Sequence, residues 1–328
     1  MMNIVILDGH TINPGDNPWD EIEAVGHLKS YDRTAPEQVV ERAQMAEILL
    51  INKCPLTAEQ ICQLPNLRFI AVTATGFNCV DIEAAGGQGI PVSNLPIYGT
   101  NSVAQFVIAL LLEHCHHVGI HDAAVKAGEW SGSPYWSFWK TPQVELYGKT
   151  MGIVGFGRIG RRVGELAHAF GMDVVAYDVF PGPHPGYEPF SWVGIEEAFS
   201  KADFVSLHAP LTKDNKRFVD KALLARMKPT AVLINAARGE LVNPDDLAQA
   251  LNDGGIACAT LDVAEVEPIP ADNPLLSARN TIMTPHMAWA SLEARRRMVH
   301  ITAENIRAFI AKDPQNVVNK TFLETRNR

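Results

Sequence analysis

Three side chains that could together bind an acid and move a proton follow successive strand-like runs in the second half of the chain. Arg238 comes after the apolar run 231–235, and Glu267 and His286 come after the next two such runs. The carboxyl ends of parallel strands meet at one edge of a sheet, so we expect the three side chains to lie together.

The residue types indicate which reaction this group would serve. The guanidinium of Arg238 could hold a carboxylate through two hydrogen bonds. The imidazole of His286 exchanges protons near neutral pH and could protonate a carbonyl oxygen, and the Glu267 carboxylate would hold that imidazole in one tautomer. This set is suited to hydride transfer to a 2-oxo acid.

A glycine-rich turn predicts the site of a hydride donor. An apolar run leads into Gly155, Gly157 and Gly160, a helical pattern follows, and a second apolar run ends at Asp178, 18 positions after the last glycine. This is the dinucleotide-binding fingerprint in its strand–turn–helix context. The glycines would allow a tight turn, close approach to a pyrophosphate and close packing of the helix, whose N-terminus favours phosphate.

The acidic residue also bears on which nicotinamide cofactor is bound. Asp178 would accept hydrogen bonds from the adenosine ribose and repel a 2′-phosphate. Val179 and Phe180 provide no cation for such a phosphate. NAD is therefore favoured, while Arg158 keeps NADP open as an alternative.

Strand and helix patterns alternate along the chain and predict an α/β protein with two Rossmann-like, doubly wound parallel-sheet domains. Six strand-like runs begin at 151, which predicts a dinucleotide-binding domain at 101–289. We expect a flavodoxin-like substrate domain made of 1–100 and 290–328, discontinuous in sequence, with helices 101–113 and 291–310 making the two crossings and a cleft between the domains.

Composition narrows the class of partner and compartment. The 328 residues carry a formal net charge of −9, which argues against nucleic acid or an anionic membrane surface as a partner. The longest N-terminal apolar run has only four residues, and five cysteines are scattered without metal spacing. We expect a cytoplasmic protein with a small-molecule substrate.

The motifs taken in order resemble the D-isomer-specific 2-hydroxyacid dehydrogenases over nearly the whole chain. They are the glycine turn, the run 235–239 around Arg238, the run 261–268 through Glu267, and Thr284-Pro285-His286. The resemblance implies an NAD-dependent enzyme and a homodimer built largely on the nucleotide domain. It also implies that Arg238 binds substrate and that His286 is the acid/base, with Glu267 as its partner.

The resemblance implies further binding residues. For the cofactor they are Arg158, Ile159, His208, Pro210, the Ala236 carbonyl and Asp262, in addition to the glycines and Asp178. For the substrate they are the backbone near Thr75 and Gly76, together with Arg238 and Trp289.

The aromatic stretch 135–142 and the run 145–150 look like the glycerate dehydrogenase (hydroxypyruvate reductase) branch of that family. This favours reduction of hydroxypyruvate to D-glycerate, whereas a packing or dimer-contact role for the tryptophans is a competing interpretation. Glyoxylate, pyruvate and phosphohydroxypyruvate stay open as substrates. A non-catalytic NAD(H)-sensing protein, similar to corepressors that share the fold, is the alternative of another class.

A group of histidines at 114–121 resembles a metal-binding cluster. His114, His117 and His121 would share one face if a single helix continued through them. We expect no metal there, because no carboxylate set is arranged to complete the coordination.

Overall fold

The computed structural model describes residues 1–326, so the last two positions of the expected segment 290–328 lie outside the described residues. The described chain divides into two units. The first combines Met1–Gly99 with the chain from Trp289 onward, and the second is Thr100–Ala288.

The first unit is built on a five-stranded parallel sheet with the order β2-β1-β3-β4-β5. Its strands are β1 Met2–Ile6, β2 Gly26–Ser30, β3 Ile48–Ile51, β4 Phe69–Val72 and β5 Val92–Ser93. This is the flavodoxin-like order, and the expected fold class is confirmed. Strand β2 was not predicted, because it lies at the sheet edge and leaves His27, Lys29 and Ser30 exposed, so it lacks a strong apolar pattern.

The second unit contains a seven-stranded parallel sheet with the order β12-β11-β10-β9-β6-β7-β8. Its strands are β6 Thr150–Val154, β7 Asp173–Tyr177, β8 Phe190–Trp192, β9 Phe204–Leu207, β10 Val232–Asn235, β11 Cys258–Leu261 and β12 Thr281–Met283. The prediction of six strands was wrong by one. The additional strand β8 has three residues at the sheet edge beside β7, too few to give a periodic signal.

Helices connect the strands in both units. They are α1 Asp20–Glu23, α2 Val39–Ala43, α3 Ala58–Cys62, α4 Ile82–Gly87, α5 Thr100–His116, α6 Val118–Lys126, α7 Arg158–Ala169, α8 Ile195–Lys201, α9 Lys221–Leu224, α10 Pro244–Asn252, α11 Leu292–Ile310 and α12 Lys320–Arg326. Short 3₁₀ turns lie at Pro36–Gln38, Gly239–Leu241 and Pro274–Leu276.

The seven-stranded sheet is covered on both faces, as a doubly wound fold requires. On one face, Leu111 of α5 and Val163 of α7 belong to a buried cluster with Ile153 of β6. On the other face, helices α8–α10 pack against β9–β11 through a second buried cluster. Both faces bury apolar surface, so the central strands consist of continuous apolar runs rather than alternating ones.

The histidine-rich segment does not form one helix. His117 adopts a left-handed conformation (φ 46°) between α5 and α6, so the prediction that His114, His117 and His121 share a helix face was wrong. In residues 1–326 no single helix is long and apolar enough to cross a membrane. Helices α5 and α6 meet that test only as a pair bent by 53°.

Candidate active site

The residues predicted to act in the second unit follow the strand order along one edge of the seven-stranded sheet. From one side to the other, the strand ends carry His286 (β12), Glu267 (β11), Arg238 (β10), His208 (β9), the glycine turn (β6) and Asp178 (β7). Adjacent strands lie about 4.8 Å apart, so the five steps from β7 to β12 span on the order of 24 Å. The edge is thus an extended row with a glycine-rich end and an ionisable end.

The glycine turn joins β6 to α7 in a backbone shape that side chains would disrupt. Gly155 has a φ of +92°, and a Cβ there would lie 2.5 Å from the Ala209 amide nitrogen. A Cβ on Gly160 would lie 2.2 Å from the Gly155 carbonyl oxygen, whereas one on Gly157 would meet nothing within 4 Å. The first and last glycines are therefore required for the backbone of the turn to pack without steric clash, and the middle one leaves open space over the turn.

The N-terminus of α7 is suited to an anion. Gly157 is its N-cap residue, and no side chain caps the helix. Arg158 and Ile159 are the first two helical residues, and Arg158 is exposed. Backbone amides without side-chain caps, together with the helix dipole, form the kind of site that binds a pyrophosphate, so these residues fit the dinucleotide that the sequence predicts.

Asp178 is held against this turn. Its carboxylate accepts hydrogen bonds from the backbone amides of Phe156 at 2.7 Å and Phe180 at 3.0 Å. The first of these belongs to the glycine turn, so the acid and the turn form one unit. This geometry is suited to presenting the remaining carboxylate acceptors to a ribose.

His208 provides a neutral side chain between the two ends of the row. Its backbone amide donates to the Val154 carbonyl at 2.7 Å, and its Nε2 lies 2.8 Å from the Ser206 hydroxyl. Desolvation by burial lowers the pKa of His208 from 6.5 to about 3. Pro210 follows on the exposed side and accepts a hydrogen bond from Asn215 through its carbonyl.

A buried asparagine shapes the turn that carries Arg238. The Asn235 side chain donates to the Arg238 carbonyl at 2.9 Å and accepts from the Ala237 amide at 3.0 Å. The guanidinium donates to the Ala237 carbonyl at 2.7 Å, and Ala236, whose carbonyl is predicted to bind cofactor, lies half-buried in the same turn.

Glu267 and His286 form the pair that the sequence predicts. Their Oε2 and Nδ1 atoms lie 2.6 Å apart. The other carboxylate oxygen of Glu267 accepts the Ala264 amide at 3.1 Å, which orients the carboxylate. His286 itself has a φ of 53°, a left-handed backbone that is uncommon outside glycine and is concentrated at functional sites.

Asp262 has a structural partner set that sequence reasoning missed. Its fully buried carboxylate accepts hydrogen bonds from the Thr284 hydroxyl at 2.6 Å and from the Met287 and Ala288 amides at 2.9 and 2.8 Å. Its carbonyl accepts the His286 amide at 2.8 Å. Asp262 therefore organises the turn that carries the histidine, and its contact with a nicotinamide amide stays a prediction.

The predicted substrate loop lies in the first unit, after β4. The Thr75 hydroxyl donates to the Leu95 carbonyl at 2.7 Å, and the Thr75 carbonyl accepts from the Asn94 side chain at 2.8 Å. These two bonds hold Thr75, the residue before Gly76, against the segment that follows β5. Trp289 packs half-buried on a core cluster of its own unit, and its predicted place over the substrate stays a prediction.

The histidines at 114–121 are engaged in other contacts. The Nδ1 of His121 bonds to the His117 carbonyl at 2.9 Å, and its Nε2 accepts the Lys140 amide at 2.9 Å. Burial lowers the pKa of His114. Among residues 1–326, no group of three or more His, Cys, Asp or Glu side chains is arranged to hold a metal ion.

The chain is similar to proteins of one family. Residues 108–288 match the model of the D-isomer specific 2-hydroxyacid dehydrogenase NAD binding domain. The chain is 47% identical to a protein named hydroxypyruvate reductase from Blautia hydrogenotrophica, over 97% of this chain and 100% of that protein. It is 41% identical to a glycerate dehydrogenase from Methylorubrum extorquens, over 96% and 98%.

A solved structure gives the same picture. The D-lactate dehydrogenase of Aquifex aeolicus, described as complexed with NAD and lactic acid, has a TM-score of 0.81 and 26% identity, and the likeness covers 95% of this chain and 96% of that one.

Proposed function

Because the chain belongs to the D-isomer-specific 2-hydroxyacid dehydrogenase family, we propose that it reduces hydroxypyruvate to D-glycerate with NADH. Family membership makes it an NAD-dependent oxidoreductase of D-2-hydroxy acids. The choice of substrate and the roles of individual residues are the proposal.

The hydrogen bond of 2.6 Å between Glu267 and His286 is the observation that carries the proposed chemistry. It engages Nδ1, so the proton exchanged with substrate belongs to Nε2. A carboxylate on the opposite nitrogen stabilises the imidazolium and orients the ring. Arg238 projects from the end of the strand next to that of Glu267, where its planar fork can hold the substrate carboxylate.

In this proposal the substrate carbonyl receives a hydride and a proton. NADH held at the glycine turn and Asp178 would supply the hydride to the carbonyl carbon and leave as NAD⁺. The carbonyl π electrons move onto the oxygen, and that oxygen takes the proton from His286 Nε2 to become the hydroxyl. Arg238 binds the substrate carboxylate throughout and fixes the distance between the carbonyl and the imidazole. In the reverse direction, neutral His286 removes the hydroxyl proton.

Two considerations support hydroxypyruvate as the substrate. The relatives at 47% and 41% identity are named hydroxypyruvate reductase and glycerate dehydrogenase. A phosphorylated substrate would call for additional cations, and the predicted substrate loop 74–78 contains no lysine or arginine. This favours a small unphosphorylated acid.

The kinetic test compares four substrates and one matched pair of variants. NADH oxidation is followed with hydroxypyruvate, glyoxylate, pyruvate and phosphohydroxypyruvate. His286→Ala is expected to reduce kcat with hydroxypyruvate at least a hundredfold, since general acid catalysis contributes about 10²–10⁴-fold. His300→Ala is the control, because His300 forms the same kind of pair with Glu21, at 2.8 Å, in the other unit. It should leave kcat unchanged.

Each outcome of that test decides between the alternatives. Preference for hydroxypyruvate that is lost in His286→Ala supports the proposal. Preference for another 2-oxo acid retains the mechanism and replaces the substrate. NADH binding without turnover of any of the four would favour a sensor over an enzyme.

We further propose a homodimer acting in the cytoplasm. Large apolar side chains are exposed on the segment 118–147 of the second unit, among them Trp130, Trp136 (88% exposed) and Trp139. Exposed aromatic clusters mark protein interfaces, and a second copy is the occupant that the family resemblance implies. Sedimentation velocity should give a dimer for the wild type, and Trp136→Ser should shift it toward monomer.

A further inference from the structure

A short segment after β9 is paired with the chain that leaves the Arg238 turn. The Arg217 amide donates to the Glu240 carbonyl at 2.7 Å, and the Val219 amide donates to the Leu241 carbonyl at 3.1 Å. The Asn243 amide returns a hydrogen bond to the Val219 carbonyl at 2.9 Å. The backbone of Arg217 is therefore bonded to Glu240, two residues after Arg238. Arg217 itself has a left-handed φ of 54°.

The side chain of Arg217 reaches a different loop. Its Nε and Nη2 donate to the two carboxylate oxygens of Glu265 at 3.0 and 2.7 Å, and Lys216 lies 3.6 Å from the same carboxylate. The Glu265 side chain is only 15% exposed. The hydrogen bond from Arg217 lowers the pKa of Glu265, so the pair stays charged at neutral pH.

Glu265 lies two residues before Glu267, in a loop that packs directly on the Arg238 turn. A Cβ on Gly239 would lie 1.9 Å from the carbonyl carbon of Ala264 and 2.4 Å from the Glu265 amide nitrogen. The amide of Ala264 in turn orients the Glu267 carboxylate. The two loops thus touch backbone to backbone, and a shift of one moves the other.

We propose that Arg217 is a positioning residue that clamps the Arg238 turn to the Glu265–Glu267 loop. Its backbone holds the first and its guanidinium holds the second. The fork matters as well as the charge, because two parallel hydrogen bonds fix orientation, whereas a single ammonium does not. The inference rests on the roles proposed above for Arg238, Glu267 and His286.

The expected effect of removing the clamp is on kcat. Misplacement of a catalytic group by about 1 Å can cost about 10²-fold, and the Gly239 contact remains, so we expect Arg217→Met to lower kcat about tenfold. The KM for NADH should change less than kcat, because the glycine turn and Asp178 lie on other strands and Ala236 is the one predicted cofactor contact in the clamped turn. The pH dependence of kcat should also shift, since the orientation of Glu267 toward His286 changes.

The experiment measures kcat, KM and the pH–rate profile with hydroxypyruvate, or with the best of the four 2-oxo acids. Arg226→Met is the matched control, because Arg226 forms an ion pair with Glu196 at 2.9 Å on the same unit and is similarly exposed. It should alter neither kcat nor the pH profile. Arg217→Lys, which keeps the charge without the fork, should lie between wild type and Arg217→Met, and serves if the methionine variant does not fold.

A cycle with Glu265→Gln tests whether the two residues act as a pair. The double variant should lose no more kcat than the more impaired single variant. Losses that multiply, or variants that lose thermal stability alone while kcat and the pH profile match those of the control, would overturn the clamp.

A crystal structure of Arg217→Met separates failure of the clamp from failure of the proposed function. The clamp predicts displacement of the Glu265–Glu267 loop and loss of the bond between Glu267 and His286, whatever the substrate. Retention of that bond would overturn it. An active His286→Ala variant would instead refute the proposed function.

Discussion

Replacement of His208 by glutamine is expected to make the protein less sensitive to acid. The wild type should lose more stability than the variant as the pH falls. The folded protein holds the pKa of this imidazole at about 3, against an ordinary 6.5, because burial disfavours the charged form. Between those two values the unfolded chain binds a proton that the folded protein does not. Stability from this site is therefore complete above pH 6.5 and falls as the pH drops toward 3.

The size of the effect follows from the shift. A pH of 5.0 lies 1.5 units below the pKa of the imidazole in the unfolded chain, and each unit is worth about 1.4 kcal/mol. The free energy of unfolding of the wild type should therefore be about 2 kcal/mol lower at pH 5.0 than at pH 7.5. The glutamine variant lacks this contribution. Burial of His114 acts in the same direction but is present in both proteins, so it cancels in the difference.

Two assays measure the prediction. Urea unfolding at pH 7.5 and 5.0 gives the difference between the two proteins, with His10→Gln, at an exposed position, as a control for loss of an imidazole. NMR of ¹³C-labelled histidine follows the ring directly, and the resonance missing from His208→Gln should not titrate between pH 8 and 5. Equal acid losses in both proteins, or a ring that titrates near pH 6.5, would refute the reasoning.

Four further predictions concern the cofactor end and the sheet. Gly160→Ala places a methyl group 2.2 Å from a backbone oxygen of the turn and should cost about 1–3 kcal/mol of stability as well as NADH affinity. Gly157→Ala meets no protein atom and should lower NADH affinity with an unchanged Tm, both measured by fluorescence titration and calorimetry. Asp178→Ser should lower kcat/KM for NADH and bring it closer to kcat/KM for NADPH. An unchanged ratio of the two kcat/KM values would argue against the contact between Asp178 and the ribose. Asp203 has a lowered pKa, because hydrogen bonds from a backbone amide and a lysine outweigh burial. Asp203→Asn should therefore destabilise the protein at pH 7, with the difference vanishing as the pH falls below about 4, and a loss independent of pH would contradict this.

The cofactor turn and the order of groups along the sheet edge could be predicted because both depend on short stretches of sequence. A strand followed by glycines at set spacing leaves few alternatives, and parallel strands bring their ends to one edge regardless of distant contacts. Arg238, Glu267 and His286 were placed by that rule alone.

What the sequence did not reveal depends on contacts between distant segments or on single dihedral angles. The role of Asp262 in ordering the histidine turn and the bond between Arg217 and Glu265 span more than 20 residues, and no periodicity marks them. The break at His117 arises from one left-handed residue within an otherwise helical pattern. For the Arg238 turn a local signal did exist, since an asparagine such as Asn235, two residues before the Ala237 amide that it binds, is a frequent turn-former.

The central claim is tested most directly by the configuration of the product. Purified protein is incubated with hydroxypyruvate and NADH, and the glycerate formed is resolved by chiral chromatography, with His286→Ala and His300→Ala in parallel. We predict D-glycerate in amounts equal to the NADH oxidised, lost in His286→Ala and retained in His300→Ala. L-glycerate, a racemic product, or equal turnover by His286→Ala would contradict the account.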